Sequence, residues 1–297
     1  MTTNEIITRA WREGSVIPAF NIPYLPMMEP VVRALRDTES FGLVAVARLE
    51  WIKFAAGSPA AARAEYERVG DERYTRLHLD HVPVIDEDGL RVDFEHDIRE
   101  AIDVGFQSVM VDGSRVPFDE NVACTRKVVE FAHAAGVPVE AELGAVLGHE
   151  EGPMPSYEEL FNSGMGFTDP DEAQRFVQAT GVDWLSVAIG NVHGAIAASK
   201  KDRKKITARL NLEHLARLNA AAGVPLVLHG GTGIRPEDIR AALRQGIAKI
   251  NVATAIRQPY ERGLKESVSA AQEAAYAATC QVLTDELQVA GRATRYQ

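Results

Sequence analysis

The chain has 297 residues, with 32 Lys+Arg against 42 Asp+Glu, for a formal net charge of −10. That balance argues against nucleic acid as a partner, because a phosphate backbone is bound by a surplus of basic side chains. It leaves room for a phosphorylated small molecule held by a few local donors. Only two cysteines are present, Cys124 and Cys280, which excludes a disulfide scaffold and any cysteine-built zinc cluster and leaves histidines and carboxylates as metal ligands.

The first segment, residues 1–14, is polar and helical in pattern and lacks the apolar stretch of a signal peptide. No apolar run reaches the length of about 18 residues that a membrane span needs, so the expectation is a cytoplasmic protein with no membrane partner. Short apolar or β-branched runs then recur at 16–21, 43–48, 76–81, 108–112, 137–143, 184–189, 225–229 and 249–252. Between them, 29–38, 94–104, 121–135, 170–180, 211–222 and 236–245 carry apolar residues at three- and four-residue spacing, the helical period. Helix starts are marked at Thr168-Asp-Pro-Asp and Arg235-Pro-Glu-Asp, where proline occupies a first-turn position beside acidic residues. Strands alternating with helices predict parallel βαβ units. Eight units over about 250 residues favour a closed (β/α)₈ TIM barrel over a doubly wound sheet. Length alone suggests two domains, but no linker interrupts the pattern, so 1–297 reads as one domain. The Ala-rich stretch 265–287 reads as helical, covering the barrel or reaching a partner subunit.

In such a barrel the strand C-termini and the loops after them form the catalytic face. Asp80 and His81 end the third run, Asp112 the fourth and Glu142 the fifth; His193 follows the sixth, His229 ends the seventh and Asn251 lies in the eighth. One histidine at a strand end usually packs or caps locally. Three of them, at three strand ends of one barrel, point to a zinc site with an open fourth position, a Lewis acid for a carbonyl. Among the other histidines, His78 reads as structural, His96, His133 and His214 as solvated helix residues, and His149 as a loop residue near candidate acids. Gly230-Gly-Thr-Gly233 lets backbone N–H groups approach an anion, and Asn251-Val-Ala-Thr254 after the next strand completes a phosphate cradle where barrels often hold one.

These segments resemble the class II, zinc-dependent ketose-bisphosphate aldolases, in particular the tagatose-/fructose-bisphosphate branch. The matching stretches run in order from Pro18-Ala-Phe-Asn21 through His78-Leu-Asp-His81, Ser108-Val-Met-Val-Asp-Gly-Ser114 and Val139-Glu-Ala-Glu-Leu-Gly144. They continue through Ala188-Ile-Gly-Asn-Val-His-Gly194 and Val227-Leu-His-Gly-Gly-Thr-Gly233 to Lys249-Ile-Asn-Val-Ala-Thr254. The resemblance implies a homodimeric or homotetrameric TIM barrel that reversibly cleaves a ketose phosphate to dihydroxyacetone phosphate and an aldehyde. It implies one catalytic Zn²⁺ on His81, His193 and His229, replaceable by another divalent metal, with a monovalent cation also admitted. Asp112 and Glu142 match carboxylates beside the metal or at an alternative metal position. Asp80 matches the proton shuttle at the C4 hydroxyl, and Glu150 the loop glutamate that handles the C3 proton. Asn21, Gly194, Gly230, Gly231, Thr232, Asn251, Ala253 and Thr254 match the groups that hold the substrate and its phosphate. The chemistry is coherent: cleavage needs a base on the C4 hydroxyl and an electron sink for the carbon left behind, and zinc on the C2 carbonyl supplies that sink without a Schiff-base lysine.

Two other functions stay open, a zinc-dependent epimerase or isomerase of a sugar phosphate and a non-catalytic aldolase-like subunit. The second is disfavoured because a dead subunit has no need of the full residue set. Three departures from the family pattern concern the substrate. Residues 82–92 form an insertion after His81, either a lid or selecting loop or a plain surface elaboration. Arg48-Leu-Glu-Trp-Ile-Lys53 replaces small residues after strand two, so that Arg48 or Lys53 would read a different anion and Trp51 would narrow the pocket. Ser199-Lys-Lys-Asp-Arg-Lys-Lys205 is a basic run, normally solvated, that near a phosphate site would steer an anion.

Overall fold

The computed structural model describes residues 1–144, 156–191, 208–231 and 233–297. The runs of apolar residues become eight parallel strands that close into a barrel in sequence order, β8 pairing with β1. They are β1 (Ile17–Asn21), β2 (Gly42–Ala47), β3 (Thr75–Pro83), β4 (Ser108–Asp112), β5 (Val139–Leu143), β6 (Trp184–Val187), β7 (Leu226–Leu228) and β8 (Ile247–Val252). Strands covered on both faces need continuous apolar runs rather than alternation, and β2, Gly-Leu-Val-Ala-Val-Ala, is buried along its whole length. The TIM barrel expected from strand–helix alternation is therefore present.

The helices are α1 (Thr3–Arg12), α2 (Met28–Asp37), α3 (Arg48–Ile52), α4 (Pro59–Val69), α5 (Phe94–Val104), α6 (Phe118–Ala134), α7 (Tyr157–Ser163), α8 (Pro170–Thr180), α9 (Leu212–Ala222), α10 (Pro236–Leu243), α11 (Thr254–Gly263) and α12 (Val268–Gln281). Asp169 caps α8 through the backbone N–H groups of Asp171 and Glu172, with Pro170 in the first turn. The end of the chain covers the barrel exterior: α12 packs on α11 and α2 and buries Ala271, Ala275 and Thr279.

Several strand ends shift by one or two residues from the sequence reading, and two of the shifts have a visible local cause. The run to residue 48 stops at Ala47, because the Glu50 carboxylate accepts the Ala47 N–H at 2.7 Å and starts α3 there. The run to residue 189 stops at Val187, because Asn191 intercepts the backbone. Its Oδ1 accepts the Ile189 N–H at 2.8 Å and its Nδ2 donates to the His229 carbonyl at 3.0 Å.

The barrel interior has two levels. At the floor, Ile6, Ile7 and Ala10 of α1 pack with Ile17, Ala19, Leu43, Ala45, Trp184, Val227 and Tyr296. Above them the inward residues turn polar, with His78, Asp80, Ser108, Glu140, Glu142, Ser186, Lys249 and Asn251 all buried. Buried charge of this kind is costly unless paired, and it sits toward the C-terminal ends of the strands.

Candidate metal and catalytic centre

β3 places two consecutive residues on one site, which a regular strand cannot do because successive side chains point to opposite faces. The solution is local: the β3–β4 register shifts between Leu79 and Val82, and His81 takes φ 26°, outside the usual range of a residue with a Cβ. Asp80 stays inside the barrel while His81 turns over its mouth.

His81 and His229 then meet edge to face with ring centroids 4.4 Å apart, and His81 Nε2 lies 2.6 Å from His229 Nδ1. Each ring faces a carboxylate on its far side. His81 Nδ1 lies 3.0 Å from Asp112 Oδ2, and His229 Nε2 lies 2.8 Å from Glu140 Oε1. A carboxylate can only accept, so each fixes the proton of a neutral ring on the outer nitrogen and turns the other lone pair inward. The two inner lone pairs converge. Imidazoles oriented from behind by carboxylates are the usual setting of a metal ligand, so these residues fit a divalent cation.

The carboxylates around that point form two overlapping groups of candidate ligands, Asp80 with His81 and His229, and His81 with Asp112 and Glu142. Glu142 Oε2 is 4.0 Å from His229 Nδ1 and accepts from Ser186 Oγ at 3.2 Å. Burial and the neighbouring Asp112 push Glu142 up to about 8. Burial would lower His81, but Asp80, Asp112 and Glu142 raise it to about 10, while burial and the adjacent His81 lower His229. Without a metal, the pocket thus keeps one positive charge between the two rings as a proton.

Asp80 is buried and would be raised by it, yet His81, His78, Lys249 and His229 hold it well below the ordinary carboxylate range. Three amide contacts reach it: Asn21 Nδ2 donates at 2.8 Å, and Asn251 Nδ2 donates to its two oxygens at 2.9 and 3.0 Å. Asn21 and Asn251 were expected among the substrate-holding groups; here their amides are engaged by Asp80, because a buried carboxylate must be satisfied first.

Of the remaining expected residues, Gly230 takes φ +65° and leads into Gly231, where a Cβ would lie 2.9 Å from Ile250 Cδ1 and 3.2 Å from the Asn251 carbonyl. Gly231 thus lets the loop after β7 lie directly on β8. Ala253 and Thr254 follow β8 at the start of α11. Glu150, His193, Gly194, Thr232, His149 and the basic run 199–205 lie outside the described residues.

The residues after β2 that were expected on the substrate side are engaged. Arg48 Nε meets Asp97 Oδ2 at 2.9 Å with Asp86 at 3.9 Å, and Lys53 meets Asp88 at 3.0 Å. Trp51 packs against the main core. The insertion after β3 is a short hairpin, with Val92 N donating to Val84 O at 3.1 Å and Asp86 N to Leu90 O at 2.9 Å. Arg115 donates to the Asp86 carbonyl at 3.0 Å, and Arg91 pairs with Glu120. The segment is pinned on several sides.

Three polar residues escaped the sequence reading as site residues: Glu140, Lys249 and Glu50. The first two could have been found as charges inside otherwise apolar strands. His133 and His214, expected to be solvated, each make a specific contact: His133 Nε2 lies 2.8 Å from Asp183 Oδ2, and His214 Nε2 lies 2.7 Å from the Thr168 carbonyl. His78 is buried as expected, 2.9 Å from Ser108 Oγ through Nδ1.

A TIM barrel whose strand ends join buried carboxylates to facing imidazoles defines a candidate metal-dependent enzyme. Comparison with known proteins gives the class. The family model described as "Fructose-bisphosphate aldolase class-II" matches residues 1–294. The fructose-bisphosphate aldolase of Staphylococcus aureus (strain Mu50) is 34% identical over 257 residues, covering 86% of this chain and 81% of that protein. Among solved structures, the YdjI aldolase of Escherichia coli K12 superposes with a TM-score of 0.76 at 28% identity, over 98% of each chain. A putative fructose-1,6-bisphosphate aldolase of Coccidioides immitis gives 0.78 at 27% identity, over 99% of this chain and 98% of that one. The chain belongs to the class II fructose-bisphosphate aldolase family. No helix among the described residues is long and apolar enough to cross a membrane.

Proposed function

We propose that the protein is a zinc-dependent aldolase that cleaves a ketose phosphate to dihydroxyacetone phosphate and an aldehyde, and runs the reverse addition. The observation that carries this reading is the convergence of the His81 and His229 lone pairs, each ring backed by its own carboxylate. His81, His193 and His229 hold the metal, with Asp112 and Glu142 beside it. Bound there, zinc supplies a Lewis acid for the substrate's C2 carbonyl.

The chain's own residues do the rest. Asp80, ionised and held from two sides by amides, takes the proton of the C4 hydroxyl as the C3–C4 bond breaks and returns it in the addition direction. Glu150 delivers and removes the proton at C3. Gly194, Gly230, Gly231, Thr232, Ala253 and Thr254 hold the phosphate, the loop after β7 being drawn close by Gly231. Arg48 and Lys53 are already paired with acidic side chains, which supports an aldehyde half carrying no phosphate on that side of the mouth.

The test is a panel of ketose 1-phosphates and ketose bisphosphates, with dihydroxyacetone phosphate measured before and after treatment with a chelator. Chelator-sensitive triose release is expected, and restored by zinc. Interconversion of ketose phosphates without triose release would replace the aldolase reading by an epimerase on the same barrel.

A further inference from the structure

β8 carries a single lysine into the barrel interior. Lys249 is fully buried, a state that lysine tolerates only with close partners. Its Nζ lies 2.8 Å from Glu140 Oε2, 2.8 Å from Asn251 Oδ1 and 3.9 Å from Asp80 Oδ1. No Schiff-base chemistry is open to it here, since its ammonium is enclosed by carboxylates below the mouth of the barrel.

Each partner leads on to a different part of the site. Glu140 reaches His229 Nε2 with its other oxygen at 2.8 Å, and so orients the ring whose Nδ1 faces His81. Asn251 can accept the ammonium only through Oδ1, which obliges its NH₂ to face Asp80, where it donates at 2.9 and 3.0 Å. Lys249 lies two residues before Asn251 on the same face of β8, so one backbone segment sets both contacts.

We propose that Lys249 is a positioning residue that ties the metal-binding arm, through Glu140 to His229, to the proton-transfer arm, through Asn251 to Asp80. The inference rests on the zinc-aldolase reading of this centre. It differs sharply from a plain electrostatic role. A lysine acting only as a nearby positive charge repels a cation, and its removal would tighten zinc binding. A lysine that holds Glu140 in place does the reverse, and loss of such outer partners weakens metal binding by about 10–100-fold.

The experiment compares wild type, Lys249→Met, Glu140→Gln and the double variant. Zinc affinity of the chelator-stripped proteins is measured by competition with a chromophoric chelator, and kcat and KM are measured at saturating zinc on the best substrate of the panel. Lys249→Met is expected to bind zinc at least about tenfold more weakly and to lose kcat with little change in KM. In the Glu140→Gln background the same change should leave zinc affinity within about twofold, because partners in one network are non-additive. Unchanged or tighter zinc binding by Lys249→Met overturns the proposal, as does an equal loss in both backgrounds. If Lys249→Met does not fold, Glu140→Gln against the double variant decides alone: equal affinity supports the proposal and unequal affinity overturns it. His229→Ala serves as the control on the underlying reading. Wild type binding zinc no better than His229→Ala removes the zinc centre itself, a failure distinct from loss of the Lys249 effect alone.

Discussion

Asp80 shows how a buried side chain is kept ionised. Three amide hydrogen bonds and several nearby cationic groups keep it a carboxylate despite burial. Asp80→Ala should therefore lower turnover by a factor on the order of 10² or more while zinc content, measured by atomic absorption, stays near wild type. Glu50 is the opposite case. Burial and the nearby Asp80 raise it to about 8, against the pull of the Ala47 N–H and the Asn21 amide. The folded state then holds the Glu50 proton more tightly than the unfolded chain does. This contribution to stability is fully present below the ordinary glutamate value of 4.5 and is lost as the pH rises through 8. Glu50→Gln keeps an acceptor for Ala47 and cannot ionise, so its Tm relative to wild type should climb between pH 5 and pH 9. A difference in Tm that stays flat over that interval would refute the buried, protonated Glu50.

At the scale of elements, β3 and the hairpin after it depart most from regular strand geometry. The Asp80–His81 pair was legible in the sequence because two adjacent polar residues close an apolar run. The device that brings both to one site was not, since the shift at Leu79 and Val82 exists only against the register of β4. Lys249 and Glu140 were passed over for a related reason: a charge inside a strand has no local signature of its partner, which comes from the opposite side of a closed sheet. Helices α3, α4, α7 and α11 were likewise absent from the expected elements; α3 and α7 are too short for periodicity to register, having five and seven residues. The hairpin itself was read as an insertion; its Asp88 turns out to occupy Lys53, while Arg48 is held chiefly by Asp97 of α5, with the hairpin's Asp86 farther off. Arg48→Ala should cost about 1 kcal/mol or less in stability by denaturant unfolding, as partly exposed ion pairs do. A loss several times larger would mean that Arg48 organises the rim rather than pairing within it.

For the whole molecule, two levels of the barrel interior separate an apolar floor from the buried polar groups of the candidate site. Truncating the floor, as in Ile7→Ala, should cost roughly 2–5 kcal/mol with kcat unchanged at a temperature where the variant is folded. On the zinc reading proposed above, the upper level couples metal to protons. His81, raised to about 10, is protonated in the metal-free protein at pH 8, so zinc uptake should expel about one proton from it, besides the fraction that Glu142, raised to about 8, still holds at that pH. Titration calorimetry in buffers of different ionisation enthalpy measures that number, and a value near zero would contradict the shared proton between His81 and His229. The barrel and the set of strand ends were readable from the chain because strand length, spacing and order are written locally. The network beneath the metal point was not, because it is assembled from β3, β5, β7 and β8 at once.

The hairpin of residues 84–92 has its two ends hydrogen-bonded to each other, Val92 to Val84, at 3.1 Å. Its closure is thus settled before the tip is reached, and doubling the length of a flexible loop costs only about 0.6 kcal/mol more. Lineages could lengthen, shorten or recompose the tip around Asp88 and Leu90 while the barrel beneath them stayed the same. Change can then accumulate at one corner of the barrel rim while the strands that carry the candidate site keep their register.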